Sequence, residues 1–213
     1  MPEDSRQICY SVVAMIESGP ARECEMVLAF LKAELDSPRW ANTLLQALAR
    51  TGFSRSQLFE EANLDDPRQN AARRAILGDY RGFGANNWLF RGFPDDAVWR
   101  RAAIDPADHG RLIYANSPPW IELSDRTRLV TRLAEKLISA ALPPDTADHV
   151  RAVQAELKAG KKLPELIAAE GSNGMLILIE GHCRATAYVG LSWKESIPAF
   201  LASSSLMHRW HWY

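Results

Sequence analysis

The sequence predicts an α+β fold, mostly helical, in which an N-terminal helical bundle packs on a small C-terminal core of sheet and helix. Three observations lead there. Apolar residues recur at helical spacing through most of the first half; a continuous apolar run, Met175 to Ile179, follows the Gly171-Ser172-Asn173-Gly174 turn; and Gly181 then separates that run from a second helical stretch. The expected division is a helical region over residues 1–105 and a core over residues 106–213 that ends in an aromatic tail.

Taken in order, Ile8, Val12, Val13 and Ile16 share one face of a helix that Gly19-Pro20 ends, and Met26, Val27, Phe30 and Leu31 repeat the pattern. Leu44, Leu45, Leu48 and Ala49 form a third stripe, closed by Thr51-Gly52. Ser54 is placed to cap a short helix through Ala62, and Asp66-Pro67 opens another that reaches Tyr80. The crowding of Gly and Asn between Arg81 and Asn87 predicts a loop. Asp95 or Asp96 is expected to cap a helix carrying Val98, Trp99 and Ala102. After the Pro118-Pro119-Trp120 kink, Ser124 is expected to cap a long helix, Asp125 to Ala141, buried through Leu129, Val130, Leu133, Leu137 and Ile138. Pro143-Pro144 stops it, and Asp145 to Lys158 is a further helix. Leu163 to Ile167 reads as an extended entry or a short helical turn, Met175 to Glu180 as a buried strand, Ala185 to Val189 as helix ended by Gly190, and Ile197 to Leu201 as a second strand.

Composition narrows the class. The 213 residues are 47% hydrophobic and 24% charged, ordinary values for a globular chain long enough to form one large or two small domains. Lys plus Arg number 25 against 26 Asp plus Glu, a formal net charge of -1, so no global attraction to nucleic acid follows. Cys9, Cys24 and Cys183 are odd in number and widely spaced, which fits reduced cytoplasmic thiols and supplies no paired zinc ligands. No apolar run approaches membrane-spanning length, and Met1 to Arg6 carries no leader pattern. The expectation is a soluble cytoplasmic protein with no membrane partner and no resident metal.

The chemistry concentrates at one turn. A turn that ends a buried strand and opens a helix leaves backbone N–H groups unpaired and aimed the same way, and the helix dipole adds positive charge there. Gly181 allows the bend. His182 and Arg184 lie in the first helical turn, where a guanidinium can fork onto phosphate or sulfate oxygens and an imidazole can add a directed donor. Glu180, at the strand's C-terminal end, is the candidate general base, and Cys183 reads as a small packed side chain within the same turn.

The string Ile179-Glu180-Gly181-His182-Cys183-Arg184-Ala185-Thr186-Ala187, followed by Ile197-Pro198, resembles the acid-Gly-x-x-Arg-x-x-Ala, then Ile-Pro signature of the ParB/sulfiredoxin superfamily. Leu157 to Pro164 resembles that family's entry segment. The resemblance covers about a fifth of the chain and implies a ParB/sulfiredoxin-like core whose turn holds phosphates. Cys183 stands where partition-type ParB proteins carry Arg, and His182 where sulfiredoxins carry the reactive Cys. The free-serine kinases, with Gly-His-His-Arg after an acid, are the most similar branch. They imply phosphate handling on a small hydroxylated molecule, with ATP or ADP and magnesium as the candidate cofactor set.

Outside the turn, Arg128, Arg132 and Lys136 recur at i, i+4, i+8, and a cation as early in a helix as Arg128 points to an anionic partner. Ser124, Arg128 and Arg81, the last beside the Asn86-Asn87 loop, therefore join Gly181 and Cys183 as candidate binding residues, with Glu180, His182 and Arg184 as candidate catalytic residues. The aromatic tail, Met207 to Tyr213, is expected to pack on its own domain or on another subunit, as a homo- or hetero-oligomer contact. Together these residues point to a small-molecule enzyme that binds a phosphate or sulfate group, for phosphoryl transfer or for elimination of such a leaving group. The alternatives are a ParB-related nucleotide- or nucleic-acid-binding regulatory module and a non-catalytic subunit of a biosynthetic complex.

Overall fold

The computed structural model describes residues 16–35, 37, 39–171 and 173–213. The expected helical face of Ile8, Val12 and Val13 lies outside them. The fold is α+β: a six-stranded mixed sheet with helices on both faces. Its strands are β1 (Ile16–Pro20), β2 (Val98–Ile104), β3 (Leu112–Tyr114), β4 (Leu166–Glu170), β5 (Leu176–Glu180) and β6 (Ile197–Ser203), in the spatial order β1-β2-β6-β4-β5-β3. β3 runs parallel to β5 and β4 parallel to β6; the other neighbours are antiparallel.

The sheet divides the core by strand parity. Ile167, Ala169, Ile177, Ile179, Phe200, Ala202 and Trp99 face the layer of α1 (Glu23–Glu34), α2 (Ala41–Ala49) and α3 (Pro67–Arg81). Leu166, Ala168, Leu176, Leu178, Ala199, Leu201, Ala102 and Ile104 face α5 (Val130–Ile138), α6 (Pro144–Lys158) and α7 (His182–Gly190). A strand covered on both faces has no polar side, which is why β5 reads as an unbroken apolar run.

Residues 1–105 are therefore not purely helical. Ile16–Pro20, read as a helix end, is the edge strand β1, and Val98, Trp99 and Ala102, read as a capped helix, belong to β2, which pairs along its whole length with β6. In β2, Trp99 and Ala102 are buried on opposite faces, a two-sided burial that hides the alternation a helix-strand decision needs. The boundary placed after residue 105 falls between β2 and β3, two strands of one sheet.

Elsewhere the local signals hold. Asp66 accepts from the Arg68 and Gln69 N–H groups with Pro67 at the first helical position of α3, and Ser54 and Gln57 exchange the reciprocal bonds of a capping box ahead of a short π-helical turn, Ser56–Glu60. The long helix expected from Asp125 does not form. A six-residue α4 (Pro118–Leu123) ends at Ser124; Asp125, Arg126 and Arg128 take left-handed backbone angles, and α5 starts only at Val130. Leu129 is drawn out of helix because Ile113 bridges to it and the Tyr114 N–H donates to the Arg128 carbonyl, which covers the outer edge of β3.

Candidate functional site

The Gly181 turn lies where β5 ends, beside the end of its parallel neighbour β3. Adjacent parallel strand ends are where open α/β sheets commonly present ligand groups. Gly181 has φ 93°, and a Cβ there would sit 2.6 Å from Leu166 Cδ2, so the chain bends tightly against β4. α7 then starts with the Ala185 N–H donating to the Gly181 carbonyl. The His182, Cys183 and Arg184 N–H groups precede the first intrahelical bond, and among the described residues no side-chain cap is present.

Arg184 is turned back onto β5. Its Nη2 donates to Glu180 Oε2 and, at 3.2 Å, to the Glu165 carbonyl, with the Arg184 and Glu180 side chains 13% and 17% exposed. Glu180 thus acts in this geometry as the counter-charge that orients Arg184, with the left-handed bend at Gly181 between the strand that ends in Glu180 and the helix that carries Arg184. Arg184 Nε is buried and makes no hydrogen bond among the described residues.

His182 stacks in an aromatic group. Its ring lies 4.8 Å from Trp120 and 5.8 Å from Tyr114, with planes within 14° and 8° of parallel, and Tyr114 and Trp120 stack at 4.7 Å. Below them the Tyr114 hydroxyl meets Thr186 Oγ1 at 2.6 Å, and Thr186 donates to the His182 carbonyl. His182 Nε2 is buried without a partner among the described residues. Burial first, then the charges of Arg81 and Arg184, push the imidazole down to about 3, so it is neutral at physiological pH. It offers one N–H donor and one lone pair rather than a positive charge. Burial pushes the Cys183 thiol up to about 11, with Glu180 adding to the effect and Arg184 opposing it, which leaves it protonated and a poor nucleophile.

The N-terminal layer carries a second Glu–Arg pair. Arg81, the last residue of α3, forks onto Glu34 through Nε, at 3.3 Å, and Nη2, and lies 3.9 Å from the Trp40 ring centroid. Glu34, the last residue of α1, is 3% exposed and also accepts from the Tyr80 hydroxyl at 2.5 Å. Burial pushes the Glu34 carboxyl up, Arg81 and Tyr80 oppose this, and the Glu180 charge adds to it. The Arg81 charge helps to push the His182 imidazole down and the Glu180 charge helps to push the Glu34 carboxyl up, so the two Glu–Arg pairs, one from each half of the chain, are electrostatically linked. A buried acid at the end of α1 carries no motif, and its sequence position next to an apolar stripe is the only trace it leaves.

Ser124 and Arg128 are placed otherwise. Ser124 is buried, donates to the Trp120 carbonyl and accepts from the Arg128 N–H, so its hydroxyl is used inside the α4–α5 connection. Arg128 spends its guanidinium on the carbonyls of Tyr114, Tyr213 and Trp212, tying the tail to β3. Arg132 and Lys136 both pair with Asp125 on the outer surface. The tail folds back on its own domain: Trp210 is buried and donates to the Leu89 carbonyl, and Trp212 donates to the Trp88 carbonyl.

Two shallow concavities, about 550 Å³ along α2 and α3 and about 390 Å³ around Glu170, Ser203 and His208, contain no residue of the Gly181 turn. Among the described residues no group of three or more His, Cys, Asp or Glu is arranged to hold a metal ion, and no helix is long and apolar enough to cross a membrane. Comparison with protein-family models, with curated proteins and with solved structures found no match.

Proposed function

We propose that the chain is an enzyme that binds the phosphate or sulfate group of a small molecule at the Gly181 turn, for phosphoryl transfer or for elimination of that group. One observation carries the reading: unpaired polar groups gather at the turn. Among the described residues, Arg184 Nε and His182 Nε2 are buried and unpartnered, beside a helix N-terminus with no side-chain cap. Buried polar groups are expensive to leave unpaired, and an anion seated there would satisfy several at once. The resemblance of Glu180 to Ala187 and Ile197-Pro198 to the ParB/sulfiredoxin superfamily points to the same ligand chemistry.

Each residue has a role in this reading. The backbone N–H groups of residues 182 to 184 hold the anion; Arg184, steadied by Glu180, stabilises negative charge as it develops; and His182, neutral, gives or takes a directed hydrogen bond without adding charge. Glu180 is the carboxylate at hand for proton removal, and using it as a base loosens its hold on Arg184, so anion binding and proton transfer are coupled. Isothermal titration with ATP, ADP and CTP, each with magnesium, and with inorganic phosphate and sulfate tests the proposal. Heat with a nucleotide supports phosphoryl transfer, heat with the inorganic anions alone supports elimination, and no heat with any of them overturns the reading.

A further inference from the structure

Tyr114 is the last residue of β3 and is fully buried, and two different parts of its side chain reach the Gly181 turn. Its ring lies beside the His182 ring, 5.8 Å between centroids and within 8° of parallel, with Trp120 stacking on each of them. Its hydroxyl meets Thr186 Oγ1 at 2.6 Å, and Thr186, also fully buried, donates to the His182 carbonyl at 2.8 Å. A threonine hydroxyl has one proton, and a carbonyl can only accept. The proton between the two hydroxyls therefore comes from Tyr114, and burial, which pushes the Tyr114 hydroxyl up, keeps it there. The chain of bonds has one direction, from Tyr114 to Thr186 to the His182 carbonyl.

The backbone carries that chain one step further. A peptide unit is planar, so the His182 carbonyl and the Cys183 N–H are opposite ends of one rigid group. The Cys183 N–H is the middle one of the three that precede the first intrahelical bond of α7. A hydrogen bond accepted at the carbonyl steadies the plane in which that N–H points, and it polarises the amide so that the N–H donates more strongly. Tyr114 is itself held from the outer edge of the sheet: its N–H donates to the Arg128 carbonyl and its carbonyl accepts from Arg128 Nε, each at 2.8 Å. We propose that Tyr114 is a positioning residue of the anion site: through Thr186 and the His182 carbonyl it aims and strengthens the Cys183 N–H toward the anion held on the Gly181 turn. The proposal rests on the reading of that turn as an anion site, and it gives β3 and Arg128 a part in it.

A structural role and a positioning role make different forecasts for variants of the full chain. Thr186→Val alone strands the buried Tyr114 hydroxyl, so it lowers stability and affinity together and does not separate the two. The Tyr114→Phe/Thr186→Val double variant does, because removing both partners of a buried hydrogen bond is nearly neutral for stability. We expect the double variant to unfold close to the unmodified chain in urea, yet to bind inorganic phosphate about fivefold more weakly in titration. In ¹⁵N–¹H spectra the phosphate-induced shift of the Cys183 N–H is expected to shrink more than those of His182 and Arg184. Thr186→Ser, which restores the hydroxyl, is expected to recover most of the affinity lost in Thr186→Val. Tyr114→Phe alone keeps the ring stack and the Thr186 bond and is expected to give a smaller loss in the same direction, and it keeps the test available if the double variant does not fold. Unchanged phosphate affinity in the double variant, or in Tyr114→Phe where the double variant does not fold, overturns the positioning role, as does a loss in Thr186→Ser equal to that in Thr186→Val; each leaves the Gly181 site standing. No phosphate binding by the unmodified chain overturns both.

Discussion

Glu180 and Arg184 pair across the first turn of α7, with side chains 17% and 13% exposed, so the acid that ends β5 holds the cation that opens the helix beyond it. This pair joins the two elements that make the turn, and it should be worth more than the ion pairs on the surface. Removing one partner of a buried pair strands the other charge and costs about 3 kcal/mol, whereas exposed pairs contribute about 0–1 kcal/mol. We expect Arg184→Met to lower unfolding free energy by roughly that larger amount and Arg132→Met, whose side chain is 45% exposed, to have almost no effect in the same urea titration. Equal effects would show that the pair is not structural.

Gly181→Ala should be costly for two reasons, the left-handed φ of 93° and the 2.6 Å approach of Leu166 Cδ2. About 1–3 kcal/mol is expected from strain of this kind. Gly160 has φ 77° with nothing within 4 Å, so Gly160→Ala carries the backbone strain without the collision and should cost less. Thermal melts of the two variants separate the contributions.

Between these residues lies the part of the fold that was readable in advance. Gly181, the apolar run of β5 and the capping signals at Ser54 and Asp66-Pro67 are local, and local chemistry decides them. β2 was not readable, because Trp99 and Ala102 are buried on opposite faces by layers distant in sequence. The helix expected from Asp125 was lost to Ile113 and Tyr114, which draw residues 128 and 129 into an edge contact. At the candidate site, Glu180, His182 and Arg184 are legible together because they are near neighbours in the sequence around Gly181. The Glu34–Arg81 pair is not, since only the meeting of α1 with α3 brings those two side chains together.

The neutral His182 sets a pH dependence. Its folded value of about 3 is below its ordinary 6.5, so the unfolded chain takes up a proton that the folded chain refuses. The stability it allows is therefore complete above 6.5 and is lost progressively as pH falls toward 3, by at most about 1.4 kcal/mol per pH unit. His182→Phe keeps a ring in the stack with Trp120 and Tyr114 and cannot titrate. We expect the variant to lose less stability than the unmodified chain between pH 6.5 and 4 in urea titrations at matched ionic strength. Parallel pH profiles would mean that His182 takes up its proton alike in the folded and unfolded chains.

Cys183, with its thiol pushed up to about 11, should resist alkylation in the folded protein. Iodoacetamide labelling at pH 7.5, followed by peptide mapping, is expected to modify Cys183 at least about tenfold faster after unfolding than before. Comparable rates would indicate an activated thiolate at the turn.

The tail's tryptophans serve the fold of their own chain. Trp210 is 2% exposed, donates to the Leu89 carbonyl at 2.7 Å and packs edge-on against Phe93 at 5.6 Å. Trp210→Ala should cost about 3–5 kcal/mol. We expect unfolding by urea to move to lower concentration while sedimentation of the folded fraction stays unchanged; a change in assembly without a loss of stability would assign the residue to an interface.

The most direct test of the anion site is the response of individual amide groups to inorganic phosphate, followed by ¹⁵N–¹H NMR. We expect the His182, Cys183 and Arg184 N–H signals to move together and to saturate along one binding curve, with the Arg184 side-chain Nε–H following the same curve. Saturable shifts confined to other parts of the chain, or no saturable shift at these four groups, would contradict it.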